Sequence, residues 1–298
     1  MSLDDRVTDQ SAQSTTGDQQ PEQSFQQEQT EPSNAAPAPP AQAPEEEKKT
    51  SRLRPLLAPA ALFAVFLLLW TGIAWWYDQP FILPTPWDVV LRFGELYEAL
   101  LFVHLPATLI VVLIGLAISI ILGWLTALAM TGVPALERAV FPLLVASQTI
   151  PIITLAPIFV LWFGYSVTSK VVVTVLITFF PITVNTFDGL RSTRSDLLDL
   201  TRTMGASPLQ RLVKVQLPSA LPSFFSGLKV AVTLAVIGAA IAEWLGADRG
   251  LGYFSRRMMT QFDGAGVFAP IVLLSLSGIV LFLLVKVAER LVVRPPRK

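Results

Sequence analysis

The chain has 298 residues, is 52% hydrophobic and only 15% charged, and its formal net charge is zero. Cysteine is absent and His104 is the single histidine, which excludes disulfides, thiolate metal sites, cysteine nucleophiles and multi-histidine metal centres. The neutral total hides an asymmetry: residues 1–50 carry ten acids and three bases, and the remainder carries 12 acids and 19 bases. Several apolar runs approach or exceed the roughly 20 residues needed to cross a bilayer, so the chain reads as a polytopic membrane protein with basic loops.

Residues 1–50 are rich in Gln, Glu, Pro, Ser and Ala, with Phe25 as their one aromatic. Such a segment buries too little apolar surface to offset its ordering entropy and is expected to be a disordered cytoplasmic tail. Its acidic start, with no apolar core following promptly, is not the pattern of a signal peptide. Lys48, Lys49, Arg52 and Arg54 precede the first apolar run, 56–77, and basic residues there hold the N-terminus in the cytoplasm. Trp70, Trp75, Trp76 and Tyr77 cluster towards its far end, as an interfacial aromatic belt does. Residues 78–103 are expected as an external segment, with 81–86 (FILPTP) read as an extended, proline-stiffened loop; 51–103 thus form a first span plus its loop.

A second span is expected over 104–130, with His104 as an interfacial or helix-start residue and Gly115 and Gly123 allowing close helix approach. A short internal turn leads to a third span, 139–163, interrupted by Pro142, Pro151 and Pro157. Prolines free backbone carbonyls that neighbouring helices or water must satisfy, so this span either lines a pathway or is a kinked packing helix. The fourth span, 171–187, contains Pro181, and the fifth, 222–242, contains Lys229 near its inner end, expected to snorkel to the inner surface. The segment 243–266 is expected outside, with Glu243 either shaping an outer gate or anchoring the loop through a hydrogen bond. The sixth span covers 267–288 and a basic tail, 291–298, follows. Six spans place both termini inside, with 16 of the 22 Lys and Arg residues in cytoplasmic segments and five in external ones.

Between the fourth and fifth spans lies 195–218, SDLLDLTRTMGASPLQRLVKVQLP. Leu197, Leu200 and Met204 make one apolar helical face behind a cap at Ser195, and Gly205 supplies a left-handed stop. Ser207 and Pro208 then start a second short helix with Leu209, Leu212 and Val213 on its apolar face, and Leu217-Pro218 ends the unit. The spacing of Gly205, Val215, Leu217 and Pro218 resembles the signature loop of ABC-importer permeases, the binding-protein-dependent transport inner-membrane family. The loop's acidic-Ala-Ala triplet stands here as Asp199-Leu200-Thr201, keeping the acid and neither alanine. Gly246 and Gly250-Leu251-Gly252 after Glu243 resemble a glycine segment common in these permeases, and 81–86, besides suiting an extended loop, resembles their proline-containing lead-in. Trp162 to Tyr165, Phe179-Phe180-Pro181 and Asn185-Thr186 resemble the nitrate, sulfonate and taurine branch, and Phe187 to Arg191 resembles its relatives for thiamine-pyrimidine precursors or riboflavin.

The resemblance implies an all-α, six-helix type I importer permease fold, with its core over 104–290. It also implies that the 195–218 loop docks on a cytoplasmic ABC ATPase dimer, through Asp199, Leu200, Thr201, Gly205, Val215, Leu217 and Pro218. ATP and Mg would sit on that partner, and no cofactor on this chain. A second permease copy, preferentially identical, a periplasmic or lipid-anchored solute-binding protein and membrane lipid complete the expected partners, without nucleic acid, in the bacterial inner membrane. Pathway or gate candidates are Pro151, Pro157, Trp162, Phe179, Phe180, Pro181 and Glu243. The sequence has no G-x-x-x-x-G-K-[ST] loop, H-E-x-x-H or G-x-S-x-G, so it carries no phosphate cradle or recognisable enzyme site. Without a mid-membrane carboxylate, an ATP-independent carrier or channel is the alternative and not the preferred reading.

Overall fold

The computed structural model describes residues 54–293; the expected tail at 1–50 and most of the basic end at 291–298 lie outside them. The described residues are helical, with short connections: α1 Arg54–Tyr77, α2 Pro86–Glu98, a wide π-helical turn Ala99–His104, α3 Leu105–Gly132, α4 Pro134–Thr149 and α5 Ile152–Phe163. They continue with α6 Val167–Arg191, α7 Ser195–Thr203, α8 Pro208–Arg211, a second π turn Leu212–Gln216, α9 Leu217–Gly246, α10 Leu251–Thr260 and α11 Gly264–Val292. Five helical stretches are long and apolar enough to cross a membrane, and the bent pair α4 and α5 makes a sixth when taken as one span. The all-α, multi-span fold class therefore stands.

The centre is a three-helix packing of α3, α6 and α9. Val111, Val112 and Leu116 of α3 meet Val171 and Ile182 of α6 and Phe224, Phe225, Leu228, Ala231 and Val232 of α9. In lipid the apolar surface itself drives little association, so close backbone approach and internal hydrogen bonds must hold the helices. Small residues provide that approach. A β-carbon on Gly115 would lie 2.6 Å from Thr174 Cγ2, and one on Gly227 would lie 2.6 Å from the Pro181 carbonyl oxygen. Ser119 and Thr178 hydroxyls join α3 to α6 at 2.7 Å. A second core gathers Val89, Leu100, Leu251, Phe254, Met258, Ala269 and Leu273 where α2, α10 and α11 meet, at the end away from the 195–218 loop.

Five expectations are corrected or sharpened. The 78–103 segment is mostly helix, and only 78–85 is irregular. Thr85 caps α2 through a reciprocal box with Asp88, and Pro86 suits the first turn, so the prolines start a helix instead of stiffening a strand-like loop. The second span accordingly begins upstream of His104, which is buried within a continuous helical stretch. The expected interruption of the third span is a single 97° bend between α4 and α5, with Pro142 and Pro157 kept inside their helices. Pro151 is the cause: it lacks the N–H that would continue the ladder, and it forces Ile150 into an extended conformation (φ −85°, ψ 119°). Glu243 belongs to α9, not to a loop, and α10 occupies most of 247–266. Lys229, finally, pairs with Glu289 of α11 at 2.9 and 3.0 Å. Its ammonium is thus held by a carboxylate partner as well as by any reach toward the surface.

Gly227→Val should lower stability by about 1–3 kcal/mol, because a β-carbon there would meet the Pro181 carbonyl oxygen and the Asn185 side chain. Gly72→Val, where a β-carbon meets nothing within 4 Å, is the matched control. Thermal unfolding of the detergent-purified proteins measures both, and an unchanged Tm for Gly227→Val would refute the close-packing account.

Candidate functional site

The 195–218 loop forms two short helices around a tight turn. Gly205 has φ +79°, the left-handed conformation that its lack of a β-carbon permits, and the Ala206 N–H returns to the Thr201 carbonyl at 3.0 Å. Ser207 caps α8 by a reciprocal box with Gln210. Arg194 takes the capping position of α7 and Ser195 is its first helical residue, a shift of one from expectation. The helix does not end at Leu217-Pro218: it passes through the π turn straight into α9, in which Pro218 sits in the first turn. The π turn carries the Leu217 N–H to the Leu212 carbonyl, so no ladder bond is asked of the proline nitrogen. The same arrangement stands before Leu105-Pro106, where the Leu105 N–H reaches the Leu100 carbonyl.

No residue of α7 or α8 is buried. Leu200, Met204 and Leu209 are 56%, 76% and 68% exposed, so the apolar face built by the helical spacing has no cover among the described residues. Asp199 and Pro218 are exposed beside it, and Thr201, Val215 and Leu217 are half-buried. Behind the loop, a cleft of about 390 Å³ opens between Leu198, Pro208 and Leu212 on one side and Leu128 and Thr131 of α3 on the other. The Arg211 Nε at its edge is buried and has no hydrogen-bond partner among the described residues.

The gate candidates separate into three places. Pro151 and Pro157 lie exposed at and beyond the break, and Trp162 is exposed with its ring edge against Phe159 at 5.8 Å. Phe179 and Phe180 are half-buried against the cluster of Ala127, Met130, Leu144 and Phe187. Pro181 is buried at the α6–α9 contact, where its carbonyl accepts from Asn185 Nδ2 at 2.8 Å. Glu243 lies on α9 next to Ala242, which packs against Ala156 of α5, and well away from Phe179 to Pro181. It is fully buried, and its Oε2 accepts the Gly252 N–H at 2.8 Å.

Two residues not singled out as a site act beside Glu243. His104 Nδ1 accepts the Gly250 N–H at 3.2 Å, and Thr108 Oγ1 accepts the Leu251 N–H at 2.9 Å. Three successive amides at the start of α10 are therefore held by side chains from the π turn before α3, from α3 itself and from α9. Gly250, at φ +119°, lies directly against the Glu243 carboxyl group, and a β-carbon there would collide with it. The glycines of this segment serve that approach. No local pattern in the sequence marks the pairing, since His104 and Gly250 stand 146 positions apart.

Residues 119–294 match the family described as the binding-protein-dependent transport system inner membrane component. The chain belongs to that family. This permease is 58% identical to the formylaminopyrimidine transport permease protein ThiX of Halalkalibacterium halodurans, over 81% of its own length and 96% of that protein. It is 36% identical to the riboflavin transport system permease protein RibX of Chloroflexus aurantiacus, over 80% and 90% of the two chains. In fold it is similar to a chain of the MetNI methionine ABC transporter, with a TM-score of 0.52 at 23% identity, covering 71% of this permease and 99% of that chain. It is an ABC importer permease subunit for small solutes. The family match takes in the 195–218 loop, the broken span and Glu243, and leaves α1, α2 and the first half of α3 outside.

In the permease, replacing Glu243 by Leu would strand the Gly252 N–H in a buried site, at a cost of about 1–3 kcal/mol. Glu243→Gln keeps an acceptor oxygen and should cost less. Amide hydrogen exchange over 250–260 is the readout: faster exchange in Glu243→Leu than in Glu243→Gln is expected, and equal protection in both would remove the anchoring role.

Proposed function

We propose that this permease imports a small, pyrimidine-like organic solute, driven by an ABC ATPase dimer that docks on the 195–218 loop. The observation that carries the reading is the uncovered apolar face of Leu200, Met204 and Leu209 on a loop whose turn is fixed at Gly205. Contiguous exposed apolar surface outside the spans calls for a partner. Asp199, Leu200, Thr201 and Gly205 would contact the ATPase, and Val215, Leu217 and Pro218 would carry its motion into α9. The excess of Lys and Arg in the loops at this end supports a cytoplasmic orientation for the 195–218 loop and both termini.

Closure of the ATPase on ATP and Mg would shift the permease between two access states, the equilibrium being biased by nucleotide on one side and by a solute-binding protein on the other. The binding protein would rest at the end formed by α2 and α10. The pathway would lie between two permease copies, preferentially identical, with Pro151, Pro157, Trp162, Phe179, Phe180 and Pro181 near it and Glu243 holding its outer rim. The solute class is supported by 58% identity to ThiX across 96% of that protein. It also agrees with the likeness of Phe187 to Arg191 to the pyrimidine-precursor and riboflavin relatives.

Gly205→Asp tests the docking. A β-carbon at Gly205 meets nothing within 4 Å, so the side chain fits, but an L-residue in the left-handed region costs about 1–2 kcal/mol and the charge lands beside the apolar face. The variant should insert and purify normally, while ATPase recovered with the tagged permease falls at least tenfold. Undiminished recovery together with full nucleotide-driven uptake would sink the docking assignment.

A further inference from the structure

The break between α4 and α5 falls part-way along a bent pair that together is long and apolar enough to make one membrane span. Leu144, before it, packs in the cluster with Met130, Phe187 and Ala220, at the end of the 195–218 loop. Ala156, after it, packs with Val173, Ile177 and Ala242, towards the opposite end. The break is therefore level with the stretch of α6 between Ile177 and Phe187, the middle of a 25-residue helix. Irregular backbone is found at such depth where it is buried in protein or lines water. Within this chain it is not buried, since Ser147, Gln148, Thr149, Ile150 and Pro151 are all exposed, and no side chain caps the start of α5.

The polar side chains at the break differ in what they leave free. Ser147 Oγ donates to the Leu144 carbonyl at 2.7 Å, Thr149 Oγ1 to the Ala146 carbonyl at 2.7 Å and Thr154 Oγ1 to the Pro151 carbonyl at 2.6 Å. Their donors are spent within their own helices. Gln148 makes no side-chain hydrogen bond among the described residues, so its amide keeps two donors and an acceptor available. The other amide on the neighbouring helix, Asn185, is committed to the Pro181 carbonyl.

We propose that the break at 148–151 lines a water-filled solute passage, and that the Gln148 amide is its contact for an uncharged solute carrying both hydrogen-bond donors and acceptors. The assignment rests on the reading of the chain as a solute-passing permease. The charge distribution selects the solute class. Residues 139–163 contain no ionisable group. On the adjoining helices, Lys229 is paired with Glu289, Arg191 is paired with Glu137 at the loop end, and Lys170 lies in the first turn of α6. Among the described residues, the cations of α6 and α9 beside the break are paired or lie at a helix end, so none on those two helices waits for a sulfonate or carboxylate. An amide instead complements ring nitrogens, exocyclic amines and formamide groups.

The absence of native cysteine makes the test direct. Gln148→Cys and, as a second position, Thr149→Cys would be made in the full chain, with Leu125→Cys on an exposed apolar face of α3 as the comparator. Membrane vesicles containing the assembled transporter would be treated with a charged, membrane-impermeant methanethiosulfonate reagent, which reacts only with thiols in water. Labelling at 148 and 149 at least tenfold faster than at 125 is expected. Rates equal to that of Leu125→Cys at both positions would show that the break lies against lipid or a second copy, and would overturn the proposal.

The solute contact is read separately, in proteoliposomes with the ATPase and binding protein, by uptake of labelled formylaminopyrimidine. Gln148→Leu should raise KM at least fivefold, with Gln148→Asn recovering part of the loss. An unchanged KM for Gln148→Leu, or no uptake by the parent protein, would overturn the assigned contact. ATPase recovery with Gly205→Asp depends on neither readout, so failure here and failure of the docking reading are distinguishable.

Discussion

Every peptide group between the two ends of α9 has to be satisfied from inside the protein, because hydrocarbon supplies no donors or acceptors. That demand explains why the centre is α3, α6 and α9, continuous helices packed face to face, and why their polar side chains turn inward. Thr174, Thr178, Thr183 and Thr186 all donate back to carbonyls four residues earlier, so buried hydroxyls in α6 are satisfied without leaving their helix. Gly115, Gly227 and Gly238 then let the helices approach until side chains and backbone touch. Each departure from regular helix stands out against this background as a place where something else must supply the missing partner.

The departures fall at levels set by α9. At one end the π turn and α8 hold the exposed turn at Gly205; at the other, Glu243 binds the first amides of α10. A helix of 30 residues separates them, about 45 Å at a rise of 1.5 Å per residue. Its contact with α6 runs along much of that length, and α5 packs against both. The rim at α10 is attached through hydrogen bonds from three helical segments, which ties its position to the spacing of α3 and α9.

The membrane character, the number of spans and the two-helix form of 195–218 were legible in the sequence because each depends on local composition or local spacing. An apolar window of 20 residues reads the same wherever it packs, and Gly205-Ala206-Ser207-Pro208 encodes a stop and a start by its own chemistry. The start of α2 was equally local but ambiguous, since Thr85-Pro86 suits an extended loop as well as a cap, and only the return bond from Asp88 decides. An interrupted third span was legible, but the place and size of the bend were not: prolines at 142, 151, 157 and 181 look alike in sequence, yet only Pro151 breaks a helix, the others being absorbed within α4, α5 and α6. The pairings of Glu243 with Gly252, His104 with Gly250 and Lys229 with Glu289 depend on tertiary packing and leave no period to detect.

The two π turns share a further property. Each is a helix carrying about one residue more than its turn needs, placed immediately before a Leu-Pro pair. Residues on an α-helix are separated by about 100° of rotation, so the surplus residue at Leu212–Gln216 fixes the azimuth at which α8 and the Gly205 turn leave α9. Excising one residue there would restore an unbroken helix and swing Leu209 and the turn about a quarter of the way round its axis. The direction in which the loop presents itself is thus set by residue count, much as the seating of a key is set by its cut, independently of how apolar its face is.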